Sequence, residues 1–119
     1  MKKIVHLSTC STCQRIIKTL NNGEGFEMQD IKVNNLSASQ LDELKEKVGS
    51  YAAMFSRRAM KYRGLGLNEM DLKEKDYRDW ILKEYTFLKR PVIIIDDEVF
   101  VGNSKKTVEA AQKKLEDAK

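Results

Sequence analysis

Residues 3–13 read Lys-Ile-Val-His-Leu-Ser-Thr-Cys-Ser-Thr-Cys, and the fold turns on this stretch. Lys3–Leu7 is short and β-branched, the pattern of a strand. Ser8 to Thr12 supply turn and cap chemistry, and Ile16, Ile17 and Leu20 follow at helical intervals. A strand thus runs into a helix, with Cys10 at the junction and Cys13 one turn later. Free backbone N–H groups and the helix dipole stabilise a thiolate at such a junction. Cys13 is near enough to attack a sulfenic acid or mixed disulfide formed on Cys10.

Outward from this stretch, Gly23 and Gly25 are expected to end the first helix, and Phe26–Val33 to form a second strand with Phe26 and Met28 on one face. Ser37-Ala38-Ser39-Gln40 has capping-box spacing. Leu41, Leu44 and Val48 then mark a helix closed by Gly49. Residues 50–72 read as short helical turns interrupted by Gly64 and Gly66. Lys73–Phe87 reads as one helix with Tyr77, Trp80, Ile81 and Tyr85 inward. Pro91 opens a strand at Val92–Ile95, Asp96-Asp97-Glu98 turns, and Val99–Val101 returns as its hairpin partner. Asn103 or Ser104 caps a last helix with Val108, Ala111 and Leu115 inward. The order β-α-β-α-(α)-α-β-β-α implies an α/β fold, a mixed sheet with helices on its faces.

The 119 residues suit one domain, expected to span 1–119. Hydrophobic residues at 41% and charged residues at 34% exclude both a disordered chain and a membrane protein. The longest strongly apolar run, Val92–Ile95, is far below a bilayer span of roughly 20 residues. The apolar stretch after the N-terminal lysines breaks off at Ser8, too early for a secretory signal, so a cytoplasmic location is expected. Net charge is +4, but 22 basic and 18 acidic residues are interspersed. Direct nucleic-acid binding is therefore not expected, whereas attraction to small anions stays open.

A Cys-x-x-Cys beside a strand–helix–strand unit reads as a thioredoxin-like redox pair. Two other readings stand beside it. Half of a zinc site would need ligands beyond His6, the one remaining nitrogen donor, and no metal site is expected. Free cysteines are also often inert core residues. Arg90-Pro91 is the second feature: the only proline opens a buried-looking strand. A strand-leading proline is commonly an edge device, but thioredoxin-like domains hold a proline, often cis, beside the cysteine pair. Arg90 would then lie near Cys10, where a guanidinium stabilises a thiolate or clamps an oxyanion. Arg57-Arg58, the third feature, reads by itself as surface charge.

Four ordered motifs together resemble the ArsC/Spx family, the arsenate-reductase-like branch of the thioredoxin fold. They are Cys10-Ser11-Thr12-Cys13-Gln14-Arg15, Phe55-Ser56-Arg57-Arg58 with Tyr62-Arg63-Gly64-Leu65-Gly66-Leu67, Phe87-Leu88-Lys89-Arg90-Pro91-Val92-Ile93, and Val101-Gly102. The resemblance implies a mixed four-stranded sheet flanked by helices. A helical insertion, roughly 36–88, separates the βαβ unit from the C-terminal hairpin. It implies Cys10 as nucleophile, Cys13 as resolving thiol and Arg90 as thiolate and anion stabiliser. Arg58, Arg57, Ser11, Thr12 and Pro91 would line the substrate site. It further implies a small oxyanion or oxidised thiol as substrate, glutathione with glutaredoxin, or thioredoxin, as reductant, and no bound cofactor. Two departures stand out. Asn103 follows Gly102 where the reductases carry an arginine, with only Lys105 and Lys106 as nearby cations. Cys13 is absent from many glutaredoxin-linked reductases but present in Spx-type regulators, which bind the RNA polymerase α subunit through a redox switch.

Overall fold

The computed structural model describes residues 1–118 and divides into two compact units, one made of residues 1–35 with those from 90 onward, the other of residues 36–89. The first unit carries the sheet. Strands β1 (Lys2–His6), β2 (Glu27–Asp30), β3 (Val92–Ile95) and β4 (Glu98–Val101) lie in the order β2-β1-β3-β4. β1 and β2 are parallel, joined by helix α1 (Ser11–Thr19). β3 runs antiparallel to β1, and β4 to β3, which makes the sheet mixed. Helix α5 (Lys105–Asp117) closes the chain and is capped by Ser104, whose hydroxyl accepts the Thr107 N–H.

Ile4, Ile16, Ile17, Leu20, Phe26, Ile93, Ile95, Ala111 and Leu115 form one buried cluster, which seats α1 and α5 against the sheet. Burying a side chain of this size is worth about 1.5–3 kcal/mol, enough to fix helix orientation through a few residues. Of the positions at helical spacing, Ile16, Ile17, Leu20, Ala111 and Leu115 are buried and Val108 is partly so, while Cys13 joins the buried side of α1.

The second unit holds α2 (Ala38–Val48), α3 (Met60–Gly64) and α4 (Glu74–Lys83), with 3-10 turns at Ala52–Met54, Leu67–Glu69 and Tyr85–Phe87. α2 begins with the expected capping box of Ser37 and Gln40 and ends at Gly49, whose φ of 108° suits glycine. Phe55 sits at the centre, stacked on Phe87 at 5.0 Å and touching Tyr77 at 4.9 Å and Tyr62 at 5.8 Å between ring centroids. Around this aromatic core runs a polar tie. Arg78 donates to both oxygens of Asp42, at 2.8 and 3.1 Å, and the Tyr51 hydroxyl donates to Asp42 at 2.6 Å. The Glu74 carboxylate accepts the N–H groups of Tyr51 and Ala52.

Three boundaries differ from the sequence reading. The helix expected over Lys73–Phe87 stops at Lys83, because Glu84 is extended (φ −136°, ψ 108°) while its carboxylate binds Lys61 and Thr86. Tyr85 therefore belongs to a separate turn. The strand expected over Phe26–Val33 is only Glu27–Asp30, because the Asp30 carbonyl accepts the N–H groups of Val33 and Asn34 and turns the chain. The first helix ends at Thr19, before the glycines, since Leu20 leaves helical geometry and Asn21 and Asn22 adopt positive φ.

Candidate active site

Cys10 is delivered by a short turn after β1. Its N–H donates to the Leu7 carbonyl at 3.0 Å, and its own carbonyl accepts the Gln14 N–H at 3.1 Å. Its extended backbone (φ −93°, ψ 111°) makes it the N-cap residue of α1. A Ser or Asp in that place would accept a first-turn N–H through its side chain. Here the Cys13 N–H faces the Cys10 sulfur, and the first turn, Ser11, Thr12 and Cys13, carries no acidic side chain to repel an anion. The positive end of the helix is thus left to act on sulfur.

The two thiols, both free, are unequal. Burial opposes ionisation of half-exposed Cys10, but the Cys13 N–H, the Cys13 thiol and the Arg90 guanidinium outweigh it and hold its pKa below the usual thiol value. Cys13 is fully buried, and burial pushes it up to about 11 despite a hydrogen bond from the Leu7 backbone; the neighbouring Cys10 adds to the rise. One thiol is thereby prepared as an anion and the other as a proton donor toward it.

Arg90 arrives from the far end of the chain. The C-terminal end of β1 pairs with the N-terminal end of β3, Val5 opposite Val92, so the Cys10 turn and Arg90-Pro91 share one end of the sheet. The Arg90–Pro91 peptide is cis, and Pro91 is buried with its carbonyl accepting the Gly102 N–H at 3.0 Å. That bond brings the hairpin end to the same place. Asn103, exposed, follows there, with Lys105 and Lys106 exposed in the first turn of α5.

The sheet unit therefore brings together Cys10, Cys13, Arg90 and Pro91, with exposed Ser11 and half-buried Thr12 in the turn between the thiols. Arg57 and Arg58 belong to the helical unit. Arg57 donates to the Tyr77 hydroxyl at 3.0 Å and lies over the Tyr77 ring at 5.6 Å, while Arg58 is exposed. Sequence reasoning did not single out Asp30, which grips the turn before Cys10. It lies 22 residues from Ser8, and no local pattern announces the pairing. Among the described residues, no group of three or more His, Cys, Asp or Glu side chains could hold a metal, and no helix is long and apolar enough to cross a membrane.

No curated protein matches the sequence. Solved structures do match in fold. The arsenate reductase from Vibrio cholerae superposes with a TM-score of 0.72 at 20% identity, covering 94% of this chain and 95% of that one. An arsenate reductase (ArsC) related protein from Brucella melitensis gives 0.70 at 23% identity, with 92% of each chain covered. A Staphylococcus aureus protein gives 0.75 at 20% identity, covering 92% of this chain and 97% of its own. These similarities establish the arsenate-reductase-like version of the thioredoxin fold. Residues 5–111 match the ArsC family, a span that contains both cysteines and the Arg90-Pro91 peptide, and the chain belongs to that family.

Proposed function

We propose that this protein is a thiol-dependent oxidoreductase that reduces a small oxidised substrate, with arsenate the first to test. The supporting observation is the inequality of the two thiols, Cys10 lowered beside Arg90 and Cys13 buried and raised to about 11. In this reading the Cys10 thiolate adds to the arsenic(V) centre and displaces hydroxide, which leaves as water after taking a proton. Arg90 balances the anionic charge that builds up. Once Cys10 is bound to arsenic it is no longer an anion, and its contribution to the high pKa of Cys13 disappears. Cys13 then loses its proton and attacks the Cys10 sulfur. The S–S bond forms, the S–As bond breaks, and its electron pair leaves with arsenic as arsenite. Two thiols are oxidised and one arsenic is reduced by two electrons. A dithiol such as thioredoxin, or glutathione with glutaredoxin, returns the disulfide to thiols.

The test is arsenate-dependent NADPH oxidation by the purified protein, with thioredoxin and glutathione–glutaredoxin relays run separately. Turnover that vanishes in Cys10→Ser supports the reading. Loss of the thioredoxin-linked rate alone in Cys13→Ser supports the resolving role. Absence of turnover with both relays refutes arsenate as the substrate.

One observation favours a second reading. Asn103 stands at the sheet end where a further arginine would complete an anion clamp, and Lys105 and Lys106 lack the planar fork that binds an oxyanion through paired bonds. A redox-sensing module that uses the Cys10–Cys13 disulfide to alter contact with the RNA polymerase α subunit needs no such clamp. Binding to that subunit that changes between reduced and oxidised protein, without turnover, would favour it.

A further inference from the structure

The Ser8 peptide is held from both sides. Its N–H donates to Asp30 Oδ1 at 3.1 Å, from the end of β2, and its carbonyl accepts Gln14 Nε2 at 3.3 Å, from the second turn of α1. The same Asp30 oxygen accepts the Lys32 N–H at 3.1 Å, which ties the carboxylate to its own turn. Ser8 opens the two-residue turn between β1 and Cys10. A free turn of that kind lets the N-cap residue swing; one gripped at both its donor and its acceptor does not.

We propose that Asp30 and Gln14 are positioning residues that fix the Ser8 turn and thereby hold Cys10 sulfur in register with the Cys13 N–H and the Arg90 guanidinium. The Ser8 hydroxyl also donates to Asp30, and with the Ser8 and Lys32 N–H groups it keeps this carboxylate below the usual range. The grip is therefore fully ionised at neutral pH. His6, buried at the end of β1 and opposite Asp30 in the strand register, adds a favourable charge to the same carboxylate when protonated. The groups that bear on Cys10 ionisation are Cys13 and Arg90.

The grip needs an acceptor oxygen at position 30, and this makes the inference decidable. The Cys13 N–H and thiol and the Arg90 guanidinium hold the Cys10 pKa down. Losing the grip removes donors from the sulfur and raises it. Asp30→Asn deletes the charge but keeps an acceptor oxygen for Ser8; Asp30→Ala deletes both. The inference rests on the reading of Cys10 as an activated thiol, and the experiment separates the two. Iodoacetamide alkylation of Cys10 in the full chain is followed against pH, with fragment mass spectra distinguishing Cys10 from Cys13.

The expected result is a wild-type profile below that of an ordinary thiol and an upward shift in Asp30→Ala, with several-fold slower alkylation at neutral pH. Asp30→Asn should stay near wild type, and Gln14→Ala should show a smaller upward shift. A folded Asp30→Ala with an unchanged or lowered profile overturns the inference while leaving Cys10 activated. Equal upward shifts in Asp30→Ala and Asp30→Asn overturn it too, because the acceptor would not matter. If Asp30→Ala does not fold, Gln14→Ala at an exposed position decides by the same criterion. An ordinary wild-type profile overturns both the inference and the reading beneath it.

Discussion

The sheet unit and the helical unit reach stability by different means. The first packs aliphatic side chains at regular intervals: Ile4, Ile93 and Ile95 from strands, Ile16, Ile17, Ala111 and Leu115 from helices. The second is assembled from short helices and single turns around one aromatic ring, Phe55, and tied by Asp42, Arg78, Tyr51 and Glu74 across 9 to 36 residues of sequence. A regular core spreads its stabilisation over many equivalent positions. An irregular one concentrates it in a few.

The largest expected effect follows from that concentration. Phe55→Ala should cost about 3–5 kcal/mol, because a fully buried ring is deleted and its Phe87, Tyr77 and Tyr62 neighbours lose a partner. Phe55→Leu keeps most of the volume and should lose much less. Urea unfolding of both variants reads the difference. Equal losses would mean that aromatic packing, and not filled volume, holds this core.

The second effect lies at the sheet end. Arg90→Ala should raise the Cys10 pKa, since it removes both a hydrogen bond to the sulfur and a favourable charge, and neutral-pH alkylation should slow several-fold. Arg90→Lys should recover part of the rate by restoring the charge without the fork. A full recovery would show that charge alone matters there. Because the folded-state pKa of Cys10 is depressed, the thiolate contributes stability above the unfolded thiol value, and that contribution fades as pH falls through the folded one.

The same contrast explains what the sequence made legible. Cys10 at a helix N-cap followed from turn residues next to an apolar helical period, all within a dozen positions. The hairpin followed from Val92–Ile95 and the acidic turn after it, and the capping box at Ser37 from four adjacent residues. Each signal is local, and each names its own partner. Arg90 beside Cys10 came from resemblance, because two residues 80 positions apart carry no pattern linking them. Asp30, and the Tyr77 partner of Arg57, stayed hidden for the same reason: a charged residue looks alike in sequence whether it meets water, the Ser8 turn or the Tyr77 ring. The helix over Lys73–Phe87 was overextended because Tyr85 continues the apolar spacing after Trp80 and Ile81. The break depends on Glu84 being claimed by Lys61, 23 residues earlier.

A third prediction tests the polar tie of the helical unit. The Arg78 guanidinium, and then the Tyr51 hydroxyl, hold Asp42 down at about 2. Its folded value lies below the unfolded value of about 3.9, so its contribution is complete above that pH and is lost as pH falls toward the folded value. With Asp42 46% and Arg78 31% exposed, solvent screens the pair and the effect is modest. Urea midpoints measured through the acid range should fall for wild type and flatten in Arg78→Leu. Parallel acid limbs would remove this pair from the account.

The smallest effects separate the units at their helix caps. Ser37→Ala removes the acceptor for the Gln40 N–H at 3.1 Å and unlocks the Gln40 side chain, whose oxygen accepts the Ser37 N–H at 3.0 Å. Ser104→Ala removes one acceptor, for the Thr107 N–H at 3.2 Å, and a hydroxyl contact with Thr107 Oγ1 at 2.8 Å. Each change should cost about 1 kcal/mol, with Ser37→Ala the more damaging because two backbone donors depend on its box. A comparison with Gln40→Ala in the same urea assay apportions the loss. If Gln40→Ala is neutral and the two serine variants are equal, the reciprocal bond contributes nothing, and α2 is held by Leu41 and Leu44 in its core, as α5 is by Ala111 and Leu115.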